Sequence, residues 1–72
     1  MGREIKFTGL TDKNGMDVYE GDEVETSRGL AFVVWDQHQF ALFSQGSEAI
    51  DYGVVDDIIS SKLTGKNIHD KN

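Results

Sequence analysis

Six consecutive apolar residues, Leu30-Ala31-Phe32-Val33-Val34-Trp35, constrain this chain more than any other feature. The run is shorter than a self-standing helix and rich in β-branched and aromatic residues, so it reads as a strand. Alternation then sends Leu30, Phe32 and Val34 to one side and Ala31, Val33 and Trp35 to the other. Both sides are apolar. The polar stretch Asp36-Gln37-His38-Gln39 reads as a turn, and Phe40-Ala41-Leu42-Phe43 repeats the two-sided pattern. A small sheet has one core face. Two neighbouring strands apolar on both faces therefore require a cover for the second face, from the C-terminal segment or from another subunit.

The rest of the chain fits short strands and turns. Ile5-Lys6-Phe7-Thr8 alternates with period two, and Thr11-Asp12-Lys13-Asn14-Gly15 reads as a hairpin turn. There Asp12 is suited to accept a backbone N–H, and Gly15 to adopt the left-handed conformation. Met16 to Tyr19 is a short strand, Glu20-Gly21 breaks it, and Asp22 to Thr26 is a strand with one wet face. Ser27-Arg28-Gly29 and Ser44-Gln45-Gly46-Ser47 are turns, and Glu48 to Tyr52 fits a fifth strand. Val54 to Leu63 stays open. Val54, Val55, Ile58 and Ile59 have helical spacing with Asp56 and Asp57 opposite, yet β-branched residues form helices poorly, so strand and turn fit equally. Gly65 ends that segment, and Ile68 to Asn72 is expected to fray. Short strands about ten residues apart point to a mainly β fold. We expect a small SH3-like barrel or curled antiparallel sheet, with one short C-terminal helix or turn, in a single domain over residues 1–72.

With 72 residues, no Cys and no Pro, such a domain has a marginal core and no disulfide to support it. Packing, or packing plus self-association, must hold it together. No apolar run is long enough to cross a bilayer as a helix, and the first six residues lack the apolar stretch of a signal peptide. An intracellular location is therefore expected. Thirteen acids against seven bases give a formal charge of −6. No Lys or Arg lies between Arg28 and Lys62, while Asp36, Glu48, Asp51, Asp56 and Asp57 do. Nucleic-acid backbones are bound by Lys and Arg that release counterions, so this chain is a poor candidate for them. The same field repels anionic lipid and attracts basic protein surfaces.

Thr8-Gly9-Leu10-Thr11-Asp12-Lys13-Asn14-Gly15 through Tyr19-Glu20-Gly21-Asp22-Glu23-Val24 resembles the signature of the YopX family, small proteins of bacteriophages and prophages. The specific element is "DKNG…YEGD" at this spacing. Arg3-Glu4-Ile5-Lys6-Phe7 resembles the family's opening motif, and Gly29 to Asp36 a stretch of the form "G-V-V-x-W-D". Leu63-Thr64-Gly65 with Asn67-Ile68-His69-Asp70 resembles its closing motif, interrupted here by Lys66 and lacking a final Pro. A segment that normally separates the opening and signature motifs in the family is missing here. The resemblance implies a setting in the cytoplasm of an infected or lysogenic bacterium. It also implies a β-rich fold with oligomerisation. It supplies no catalytic residue and no cofactor.

The chemistry-bearing residues form no compelling constellation. Asp12, Asn14 and Glu23 match positions 1, 3 and 12 of a calcium loop, but Met16 cannot ligate and Asp17 replaces the turning glycine, so the hairpin reading prevails. Carboxylate pairs are inevitable among so many acids, and Asp56-Asp57 reads first as a solvated turn or helix face. His38 lies in a turn and His69 in the tail. No serine has a glycine-elbow context, and Gly9, Gly15 and Gly21 form no phosphate loop. Two His and no Cys cannot build a four-ligand zinc site. We therefore expect no catalytic residue, metal or cofactor.

The leading expectation is a non-enzymatic binding module that docks on a host or phage protein through an acidic, partly aromatic face, as a homo-oligomer. The candidate residues are Trp35, Phe43, Asp56 and Asp57, since buried aromatics anchor protein contacts. The alternatives are a nucleic-acid-binding barrel in which Trp35 and Phe40 stack bases beside Lys13 and Arg28, and a structural or assembly component of the virion.

Overall fold

A computed structural model describes residues 6–69. The chain runs β1 (Phe7–Thr11), β2 (Asp17–Tyr19), β3 (Asp22–Thr26), β4 (Gly29–Asp36), β5 (Gln39–Ser44), β6 (Ile50–Tyr52), α1 (Val55–Ile59) and β7 (Lys62–Asn67). β1 and β2 form a two-stranded hairpin. The other strands form an antiparallel sheet in the order β6-β5-β4-β3-β7. The mainly β expectation is met by its curled-sheet form, because among the described strands β6 and β7 do not pair and the barrel is not closed. The open segment from Val54 to Leu63 resolves into both options in succession, a helical turn and then the start of β7.

The two-sided run forms the long central strand β4. Its registers are Val33↔Leu42 and Phe32↔Phe43 with β5, and Val24↔Ala31 and Glu23↔Phe32 with β3. Gln37 and His38 close β4 onto β5 with φ of 52° and 63°, the two-residue turn that matches strand twist. Neither is the Asn or Gly such a turn favours. The edge-on packing of Trp35 on Phe40, with ring centroids 4.6 Å apart, helps hold it.

One face of the sheet is the core. Val24, Ala31, Val33 and Leu42 are buried there against Val18 of β2, Val54, and Ile58 of α1. The connection from β6 to β7 crosses this face to reach the opposite edge of the sheet, and α1 is the part that fills it. Its five residues are too few to be stable alone, so the fully buried Ile58 is what fixes it. β-branched residues suit it poorly as a helix, but they suit the cavity it caps. Ser61 ends the turn. Its hydroxyl donates to the Ile58 carbonyl at 2.6 Å, and its own carbonyl accepts from the Lys13 N–H at 2.9 Å.

Candidate functional site

The signature residues occupy positions set by folding. Asp12 is buried and its carboxylate accepts three backbone N–H groups, from Asn14 and Met16 at 2.9 Å and from Leu63 at 3.0 Å. The first two close the β1–β2 turn. The third ties that turn to β7, far along the chain. Burial pushes the carboxyl pKa up, but the three N–H bonds outweigh it and hold it below the ordinary value. Gly15 takes φ +81°, as the turn requires.

The second half of the signature meets the closing motif. Gly21 (φ +91°) donates its N–H to the Val33 carbonyl, and its carbonyl accepts from Ile68. A Cβ at Gly21 would fall 2.6 Å from the His69 ring and 2.8 Å from the Asn67 side chain. Asn67 Nδ2 donates to the Glu20 carbonyl and to Asp22 Oδ1, while Asp22 Oδ2 accepts from the Tyr19 N–H. His69 Nε2 lies 3.1 Å from Glu20 Oε1. The tail expected to fray from Ile68 is thus fastened as far as His69. Its last residues, like the opening motif before Lys6, lie outside the described residues.

The four candidate docking residues do not converge. Asp56 and Asp57 sit side by side in the first turn of α1, on the core side of the sheet, where their charge suits the helix N-terminus. The exposed Arg28 reaches the half-buried Asp57 at 3.4 Å and Asp51 at 3.6 Å. Surface pairs of this kind are worth little. Trp35 is at the far end of β4 from Arg28, roughly 20 Å away at strand rise. Lys6 Nζ stands 4.9 Å from its ring centroid, and Phe40 packs on it in a T-shaped arrangement. Phe43 faces outward from the opposite side of the sheet, paired with Phe32 and Ile50.

The apolar face that alternation assigns to Leu30, Phe32 and Val34 extends across two further strands. It carries Leu30, Phe32 and Val34 of β4, Phe43 of β5, and Ile50 and Tyr52 of β6. Leu30 and Ile50 are 44% and 43% exposed. Within it lies Glu23, only 6% exposed, opposite Phe32 in the register. The Thr64 hydroxyl donates to one carboxylate oxygen and the Gln45 amide to the other, at 2.7 Å. These two bonds, with a smaller pull from Lys66, hold the Glu23 pKa below its ordinary value against the effect of burial. At the β6 margin the Tyr52 hydroxyl donates to Asp36, which raises the phenol pKa. Alternation in β4 and β5 predicts two apolar faces, but the partners of Glu23 come from distant strands and leave no local signal.

α1 presents a second exposed surface. Val55 and Ile59 lie one turn apart and are 54% and 44% exposed, beside Asp56 and Asp57. Among the described residues no three His, Cys, Asp or Glu side chains gather as metal ligands, and no helix is long and apolar enough to cross a membrane.

Fold and surface define a small, mainly β protein built on an open antiparallel sheet with one face closed by a helical turn. The profile of the YopX protein family matches residues 4–71, nearly the whole chain, and the chain belongs to that family. No curated protein matches it significantly. No solved structure does either.

Proposed function

We propose that this chain is a non-enzymatic binding module of phage or prophage origin, acting in the cytoplasm of the bacterial host. It docks on a host or phage protein through the acidic outer surface of α1 and works as a homo-oligomer. The observation that favours this reading is the exposed pair Val55 and Ile59 set directly beside Asp56 and Asp57. Apolar side chains supply contact area, and adjacent carboxylates steer a basic partner surface toward it. The signature residues have folding roles, which leaves the exposed positions to carry recognition. The partner implied is a protein with a basic, partly apolar surface. Its capture belongs in a bacterial lysate, with tagged protein and nuclease treatment. A stoichiometric protein that survives nuclease and is lost with Asp56→Lys/Asp57→Lys is the expected result. Retention of every partner by that variant would remove the acidic surface from the reading. Recovery of nucleic acid instead would favour stacking at Trp35 and Phe40.

A further inference from the structure

We propose that the outer face of the main sheet is a pairing surface for a second copy of this chain, with the two sheets packed face to face about a two-fold axis running along the strands. The inference rests on the homo-oligomer part of the reading above and names its surface.

The sequence predicts a cover for this face, and among the described residues the C-terminal segment does not supply it. The C-terminal segment contributes α1, which lies on the core side, and β7, which lies at the sheet edge. The β1–β2 hairpin also sits on the core side, through Val18. Among the described residues, Leu30, Phe32, Val34, Phe43, Ile50 and Tyr52 are left without a covering element. An apolar surface of this kind marks an interaction site more often than a free face. The face also tolerates being covered. Its one buried charge, Glu23, already has both oxygens hydrogen-bonded by Thr64 and Gln45, so closing a partner over it strands no unpaired carboxylate.

Charge layout selects the occupant. The β7 margin of this face carries Lys62, in register with Glu25, and Lys66, next to the Asn67 that pairs with Asp22. The β6 side carries Asp36, bonded to Tyr52, and the adjoining turn carries Glu48. A two-fold axis along the strands lays the β7 margin of one copy over the β6 margin of the other. Lys62 then meets the Glu48 end, and Lys66 the Asp36 end, twice over. Aligned sheet packing of this type places the two layers about 10 Å apart. A partner that is simply basic would meet these two lysines. A second copy sets these two lysines against the acidic side of the other copy. This is also how a chain of net charge −6 can associate with itself, since the facing surfaces carry both signs.

The test is the mass in solution, by sedimentation or light scattering, across a wide dilution series. The wild type is expected to associate. Leu30→Lys and Ile50→Lys change exposed positions only, so each should keep its β-sheet circular dichroism while the association weakens at least about tenfold. Charge exchange is the sharper check. Lys62→Glu/Lys66→Glu and Asp36→Lys/Glu48→Lys should each fail to pair alone, and should pair when mixed. A wild type at single-chain mass throughout overturns the proposal. So does an assembly that Ile50→Lys leaves intact, or a pair of charge variants that do not restore one another. Asp56→Lys/Asp57→Lys should leave the mass unchanged, so failure of the docking surface on α1 and failure of the pairing face are separate results.

Discussion

Asp12 is the residue on which most of the local structure converges. One carboxylate closes a turn through two amides and fastens that turn to β7 through a third. Hydrogen bonds to a charged group are worth roughly 1.5–3 kcal/mol, and a buried amide left unpaired adds to the loss. Asp12→Ala is therefore expected to destabilise the fold by about 3 kcal/mol, measured by urea unfolding. That is a large fraction of the stability of a domain this small. The D-x-N-G pattern makes the turn legible in the sequence, because an Asp at the first position and a Gly that accepts positive φ are local requirements. The bond to the Leu63 N–H was not legible. It joins residues that no local pattern relates.

At the scale of elements, α1 shows tertiary packing overriding propensity. A segment in which three of five residues are β-branched adopts a helical turn, because Ile58 caps the sheet as part of one buried cluster with Val18, Val24, Val33 and Leu42. The two exposed apolar residues of the same turn, Val55 and Ile59, contribute little to that packing. Ile58→Ala should cost about 3 kcal/mol through lost burial and the cavity it leaves. Val55→Ala and Ile59→Ala should cost far less and instead weaken partner capture. Thermal unfolding of the three variants side by side distinguishes the anchor from the exposed pair. The equal claims of helix and strand over this segment had a physical basis: its periodicity favours one and its residue types the other. The outcome depended on what lies beneath it.

For the whole molecule, acid is the informative variable. Asp12 and Glu23 both have folded pKa values below their unfolded ones, near 3.8 and 4.5. A depressed carboxylate contributes stability that is fully present above the unfolded value. That contribution is lost as pH falls through the folded value. The urea midpoint should therefore hold from neutral pH to about 5 and drop below about pH 4. Asp12→Asn should begin lower and fall less steeply. A flat profile down to pH 2 would mean that these two carboxylates do not support the fold. The loss would also reach the outer face, because protonating Glu23 weakens the bonds by which Thr64 and Gln45 hold it among the aromatics.

Local periodicity, residue geometry and composition settle strands β1 to β6 in outline, most of the turns, the lack of a disulfide and the two-sided apolar character of β4 and β5, whereas β7 runs through Gly65, where the sequence suggests an end. Tertiary structure alone decided which candidate residues share a surface. Phe43 and the Asp56–Asp57 pair belong to opposite sides of one sheet, and Trp35 to a distant end of it. It also decided that the closing segment clasps Gly21 and that Glu23 is enclosed by Thr64 and Gln45. Side-chain alternation assigns residues to faces within a strand. Which face becomes the core depends on where the crossing connection places α1, and that is fixed only when distant strands pair.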